Sequence, residues 1–415
     1  MYLPDWQRED VIGYPLCIYK YEVCPEVGTE ENLEWFRNEL KKRGIKLMLD
    51  FVPNDTAIDS PEMTSNPDFY IHSTMDPDDD QFDSSRFMGN HDGIAFGAGL
   101  NMPPMHFNAQ LNLFNKKCRD YQIERLLKIS QMCDGVRVHL PQYLINSHFA
   151  DYWKKELFEN NRNVVDVDYT NENEEFWLLA ISKVRSFNPN FVFVAESYGE
   201  SNQDKLIKCG FNYVYEKELL DKLVFSDVKG FRDLIFQNNE HITSKRMVHF
   251  VENHDEKRIL DLFWNNDRMA CAASAALLTL PGIRLFNFHQ WLGYSHQIHV
   301  NLRRSFDPHI NKTIMLFYVR LFRVLDTNAI RFGEWTPKNV YESDTVIAWK
   351  WVKDKQHILV TINFSNERSG GRIILNDAPT DSREITVHEL IANTYYTRDP
   401  QELIDEGLHL SLDKY

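Results

Sequence analysis

Apolar and polar residues alternate over Gly135-Val136-Arg137-Val138-His139-Leu140, and a period of two predicts a β-strand. Apolar runs predict five more strands, at 45–52, 190–196, 211–216, 246–252 and 282–287. Between them the apolar spacing becomes helical, over 30–42, 116–131, 174–187, 217–237, 266–279 and 311–326, with a short helix near 202–208. The first helix keeps Leu33, Phe36 and Leu40 on one face. Thr29 is its N-cap, and Glu30 and Glu31 suit the positive end of its dipole. Asn32 stands where a capping box wants Glu or Gln, which predicts an incomplete box, and Gly44 marks the C-cap. Strands and helices in strict alternation define an α/β class, here six strand-helix units.

The pattern changes after about residue 330. Thr345–Val352, His357–Phe364, Gly371–Leu375 and Glu384–Leu390 alternate without helices between them, and the chain stops inside a last strand at 408–415. Two domains follow: an α/β domain over 1–331 and an all-β domain over 332–415. Residues 1–28, rich in Pro, Gly and aromatics, read as a loop. Residues 53–114 read as a long polar insertion, of the kind that is functional or partly mobile. Its acidic run Asp76-Pro77-Asp78-Asp79-Asp80 lacks the Gly and Glu spacing of an EF-hand and reads as a solvated loop.

Four of the strands run out into ionisable residues. Leu47-Met48-Leu49 leads to Asp50 and, past Phe51-Val52-Pro53, to Asn54 and Asp55. The strand at 134–140 carries Arg137 and His139, Phe191-Val192-Phe193-Val194-Ala195 ends at Glu196, and Val248-His249-Phe250-Val251 leads to Glu252-Asn253-His254-Asp255. The carboxyl ends of parallel strands are where a (β/α) barrel builds its active site.

Composition narrows the partners. A net charge of -15 excludes nucleic acid and anionic membranes as the main partner. A hydrophobic share of 43% with 26% charged residues is enough for a large core, where most of the 27 Phe and 9 Trp belong. The six cysteines show no C-x-x-C pair, which excludes zinc spacing and favours reduced thiols and a cytoplasmic protein. No apolar run approaches the ~20 residues of a membrane span, and the first residues lack signal-peptide features.

The strand ends resemble the four ordered signatures of the α-amylase family of glycoside hydrolases: Asp50-Phe51-Val52-Pro53-Asn54-Asp55, Gly135-Val136-Arg137-Val138-His139, Glu196 after Val192-Phe193-Val194-Ala195, and Phe250-Val251-Glu252-Asn253-His254-Asp255. The resemblance implies a TIM-type (β/α) barrel, a small antiparallel β domain after it, and an α-glucoside or oligosaccharide as ligand. It implies general acid/base catalysis by Glu196, a third carboxylate at Asp255, a nucleophile-holding Arg137, and sugar contact by His254. Asp50 and Asn54 would support them, Asn54 at a position that contributes to calcium sites in many relatives; no other cofactor or metal is implied. A retaining glycosidase needs two carboxyl groups about 5 Å apart.

Several positions depart from the family pattern. The nucleophile position holds His139 in place of Asp, the sugar-binding His that closes the first motif is Asp55, and Leu16 stands where relatives carry a stacking Tyr. His139 reads as a metal ligand, a substitute nucleophile or a passive replacement. The last fits best, because nothing else supplies histidine at ligand spacing. The resemblance begins after the family's second strand, leaving about six of eight strand-helix units. Six strands leave two edges exposed, so the expectation is either an open barrel covered by a partner chain or an incomplete gene product. The function expected is hydrolysis or transglycosylation of α-linked glucosides, impaired by loss of the nucleophile; the alternative is an inactive glycan-binding or scaffold protein. Arg258 reads either as a solvated charge at a helix start or as a distal sugar contact.

Overall fold

The computed structural model describes residues 3–159, 161–240, 242–305, 309–378, 380 and 383–415. The chain forms two compact units, Ile12–Tyr215 and Glu216–Tyr415 with the first residues through Val11.

In the unit Ile12–Tyr215, residues 12–28 are loop and the first helix is Glu30–Lys42. Thr29 Oγ1 accepts from the Asn32 amide at 3.3 Å and Asn32 Oδ1 accepts from the Thr29 amide at 3.0 Å. The capping box is therefore complete, because the Asn side chain is long enough to reach back. Gly44 takes the left-handed conformation that ends the helix. Strand β1 (Met48–Phe51) follows. Trp35, Phe36, Ile45 and Met48 remain exposed along this edge.

Residues 53–114 carry a sheet of their own, which the sequence reading assigned no strands to. Strands β2 (Asp55–Ala57), β3 (Phe87–Met88), β4 (Ile94–Gly99) and β5 (Met102–Gln110) form an antiparallel sheet in the order β2-β5-β4-β3. No apolar alternation announces it, because its buried positions include Asn108, Ala109 and Gln110, and because bulges break the β4–β5 register. The acidic run is exposed, as expected, with the Asp76 and Asp79 carboxylates accepting from amides two residues on.

Helix Lys116–Met132, capped by Asn115, leads into β6 (Gly135–His139). Helix Phe176–Phe187 leads into β7 (Val192–Glu196), and helix Glu200–Lys208 into β8 (Tyr213–Glu216). Two short helices after β6, Asn146–Tyr152 and Lys154–Phe158, were not legible in the sequence. Strands β1, β6, β7 and β8 pair in parallel, with Asp50 opposite Arg137 and His139 opposite Glu196. Val136, Val138, Phe193 and Ala195 are fully buried, so the alternating positions Asp50, Arg137, His139 and Glu196 share the other face.

The other unit carries β9 (Met247–His249) and β10 (Ile283–Arg284), also parallel. The helix expected over 217–237 is two, Glu218–Val224 and Val228–Glu240. The break is at Ser226, in left-handed backbone, after which Asp227 Oδ1 accepts from the Gly230 amide at 2.8 Å. Helices Asp267–Leu278, Lys312–Leu325 and Asn328–Phe332 follow, and strands take over at Glu334. β11 (Glu334–Pro337), β12 (Val346–Lys353) and β13 (Gln356–Asn363) form one antiparallel sheet. β14 (Ser369–Ile373) pairs with the last strand, Leu408–Leu412, and Ile385–Glu389 pairs with Thr394–Arg398. Trp349 and Trp351 of β12 both donate their indole N–H to Thr279, fixing this sheet to the helix that ends at Leu278. At the amino end, Arg304 pairs with Asp5 and Asp10.

Candidate active site

Four ionisable side chains meet at the carboxyl ends of β1, β6 and β7. Arg137 Nε donates to Asp50 Oδ1 at 2.6 Å and a terminal nitrogen donates to Glu196 Oε1 at 3.2 Å. His139 Nδ1 lies 2.7 Å from Glu196 Oε2. Glu196 is buried and Arg137 and His139 nearly so, whereas the Asp50 side chain is 45% exposed. Burial disfavours the Arg137 charge, but Glu196 and Asp50 outweigh it and hold its proton more tightly than usual. Tyr215, which sequence reasoning missed, also bonds Arg137; burial pushes its phenol up to about 12 against the pull of that cation. An aromatic residue at the end of β8 carried no separate signal.

Asp55 lies beside this cluster, at 2% exposure. Burial pushes its carboxyl up to about 6, opposed by the nearby His139 and by hydrogen bonds from Asn54 and Asn108. Asn54 Nδ2 donates to Asp55 Oδ2 at 3.2 Å, and Asn108 Nδ2 donates to Oδ1. Asn54 itself is locked to Gln110, whose Nε2 donates to Asn54 Oδ1 at 3.1 Å and to the Asn54 carbonyl at 3.0 Å. With both its oxygens accepting from Gln110, the Asn54 side chain is fixed in place behind the first motif. Leu16 is buried, so it offers no ring and no free face to a sugar.

The fourth motif lies in the other unit. Its Glu252 is fully buried and binds Arg258 at 2.6 Å and the Ile259 amide at 2.8 Å. Arg258 is 2% exposed and also donates to the carbonyls of Phe288 and His296. Both earlier readings of Arg258 are thus corrected: its charge is neither solvated nor turned to a ligand, because the strand end needs it to neutralise Glu252. Asn253 Oδ1 accepts from the amides of Asp255 and Glu256, turning the chain so that His254 Nε2 and Asp255 Oδ2 stand 3.1 Å apart, both partly exposed.

The six cysteines are free; Cys118, Cys133 and Cys209 are buried, and burial raises their thiols well above the ordinary value. These are inert packing residues.

Parallel strands alternating with helices, ionisable at their carboxyl ends and followed by antiparallel strands, define the class of (β/α)-barrel proteins with a C-terminal β domain. Six parallel strands are present among the described residues, four in one unit and two in the other. Residues 6–296 match the family model described as alpha amylase, catalytic domain, and the chain belongs to the α-amylase family. It is 22% identical over 302 residues to Alpha-amylase 3 of Dictyoglomus thermophilum, across 68% of this chain and 54% of that protein. The chain thus spans about half the length of that curated relative. Among solved structures it resembles a noncanonic maltogenic α-amylase from Thermotoga neapolitana (TM-score 0.70, 15% identity, 97% of this chain and 84% of that one). It also resembles an α-amylase from Lactobacillus plantarum (TM-score 0.67, 19% identity, 99% and 87%). A third is the α-amylase of Geobacillus thermoleovorans complexed with acarbose (TM-score 0.67, 19% identity, 95% and 81%). These likenesses establish the barrel-type fold.

Proposed function

We propose that this chain recognises α-linked glucosides or oligosaccharides, and that its glycosidic-bond chemistry, hydrolysis or transfer, is severely weakened. The observation that carries the reading is the pairing of His139 with Glu196. Glu196 Oε1 accepts from Arg137, and Oε2 shares a hydrogen with His139. Both oxygens of Glu196 are engaged by protein side chains, and residue 139 supplies no carboxylate to a cationic transition state. In this proposal Glu196 is the inherited acid/base, Asp255 the third carboxylate and His254 a sugar contact; Asp50 and Asn54 are supports, and the buried Asp55, named from the first motif as a sugar contact, is a support as well.

The same pairing favours a second reading, an inert glycan-binding or scaffold protein using this strand-end face. A cytoplasmic setting is proposed with both; no described helix is long and apolar enough to cross a membrane. A partner chain over the β1 edge is a further part of the proposal, supported by the exposed Trp35, Phe36, Ile45 and Met48.

The test is turnover of p-nitrophenyl α-glucoside and maltooligosaccharides by the chain and by His139→Asp. Activity recovered in the variant supports a site lacking only its nucleophile. Binding without turnover in either supports the inert reading. Robust parental activity that survives Glu196→Gln would remove the role given to Glu196.

A further inference from the structure

Helix Glu30–Lys42 is 13 residues long and buries none of them. A helix of that length is marginal in water by itself and is normally held by packing of an apolar face. Here the tether is polar: the Arg37 guanidinium donates to the carbonyls of Gln131 and Cys133 at 2.7 and 2.8 Å and to Asp134 Oδ1 at 2.7 Å. Trp35, 64% exposed, and Phe36 stand in solvent, as do Ile45 and Met48 at the edge strand β1.

The charges of this helix are sorted along its axis. Glu30, Glu31 and Glu34 lie in the first half, and Lys41, Lys42 and Arg43 at the end, where Lys42 and Arg43 share Glu39 at 2.5 and 2.9 Å. Glu31, Trp35, Asn38 and Lys42, spaced i, i+4, i+7 and i+11, form one exposed stripe. A two-fold axis passing between Trp35 and Asn38 lays this stripe antiparallel on a copy of itself. Glu31 then meets Lys42 of the second copy at both ends, and the two Trp35 rings pack near the centre. Trp is enriched among the residues that dominate interface energies. A second exposed apolar stripe, with Leu316 and Val319 on helix Lys312–Leu325, has the same spacing but ends in Lys312 and Arg323. Pairing that stripe with its own copy would set cation on cation.

We propose that the chain forms a two-fold dimer through helix Glu30–Lys42, with Trp35 at its centre and Glu31–Lys42 pairs at its rims. This rests on the reading that a partner chain covers the β1 edge, and it names a second copy as that partner. A contact built on one helix and a strand edge is at the small end of specific interfaces, so dimerisation in the micromolar range is expected.

The experiment is sedimentation equilibrium of the full chain across that range. Trp35→Glu should weaken dimerisation at least about 100-fold. Glu31→Lys and Lys42→Glu each set like charges against one another twice and should weaken it about tenfold apiece, while the two together should restore it. Within one chain these two residues are about three helical turns apart, so the rescue reports contact between copies. Leu316→Glu should change nothing. A monomer throughout would overturn the proposal and leave the β1 edge to a chain of another kind. A dimer that survives Trp35→Glu would overturn both the proposal and the β1-edge reading. Loss in Trp35→Glu without rescue by the double reversal would keep that reading and overturn the two-fold pairing. Growth beyond two copies, or loss in Leu316→Glu, would also overturn it by placing the contact between unlike faces. Circular dichroism and thermal unfolding of each variant separate lost association from a lost helix.

Discussion

His139 stands directly opposite Glu196 in the β6–β7 register, and their side chains meet at 2.7 Å. Adjacent parallel strands bring same-face residues together whatever their chemistry, so the register alone suffices to place these two side chains in contact.

Replacing His139 by Asp puts two carboxylates side by side, and like charge raises the proton affinity of the more buried one, Glu196. Arg137 already lies between Asp50 and Glu196 and can neutralise the newcomer. His139→Asp should therefore raise turnover of p-nitrophenyl α-glucoside by about 100-fold or more, and adding Glu196→Gln should remove the gain, since residues acting as a unit do not contribute additively. An equal gain in the double variant would show that Glu196 takes no part.

Asp55 gives a pH-dependent stability. Its carboxyl is raised from 3.8 to about 6 by burial, so in the folded chain it prefers to be neutral. Below about pH 4 it is neutral folded and unfolded, and it makes no demand. As pH rises toward about 6 the unfolded chain releases the proton first, and above that the fold must hold a buried carboxylate. The stability tied to the neutral acid is lost across this window. Two pH units correspond to about 3 kcal/mol. Asp55→Asn should remove the dependence: Asn108 Oδ1 has no partner among the described residues, so a flipped Asn108 amide can accept from the new side chain. Urea unfolding at pH 4.5 and pH 7 should show the variant gaining on the parent as pH rises; a constant difference would refute the assignment.

Arg137 neutralises two carboxylates, one of them 1% exposed. Arg137→Met takes the guanidinium away from the buried Glu196 and should cost about 3–5 kcal/mol in urea unfolding. Arg137→Met with Glu196→Leu should recover most of that. If the double variant is as unstable as the single one, the guanidinium is needed for packing and not for charge.

The sequence made the strand ends legible because each combines an apolar run with ionisable residues at its end, and a buried parallel strand tolerates charge only there. Elements without such contrast were hidden. The sheet of residues 55–110 buries Asn, Gln, Ala and Gly, which carry no period, and its strands are specified by partners far along the chain. Pairings depend on geometry that no single strand encodes. Arg137 could have been assigned to a residue at 139, but only the register gives it Asp50 and Glu196. Likewise Arg258 reads either as a solvated charge or as a sugar contact until its burial beside Glu252, six positions earlier, makes them one pair.

Gly135 tests how tightly the register is set. A Cβ there would stand 2.7 Å from the Val192 carbonyl oxygen and 3.1 Å from the Met48 side chain, so the neighbour that must yield on one side is backbone. Gly135→Ala should destabilise the chain by about 1–3 kcal/mol, as overpacking does. Because the crowding lies between β6 and β7, the displacement should carry along the strand to His139 and Glu196. The NMR chemical shifts of the His139 ring would then move in Gly135→Ala, although the substitution is four residues away. Unchanged stability and unchanged His139 shifts would mean that the strands have slack at this point, and that the contact at 139 is set by the side chains alone.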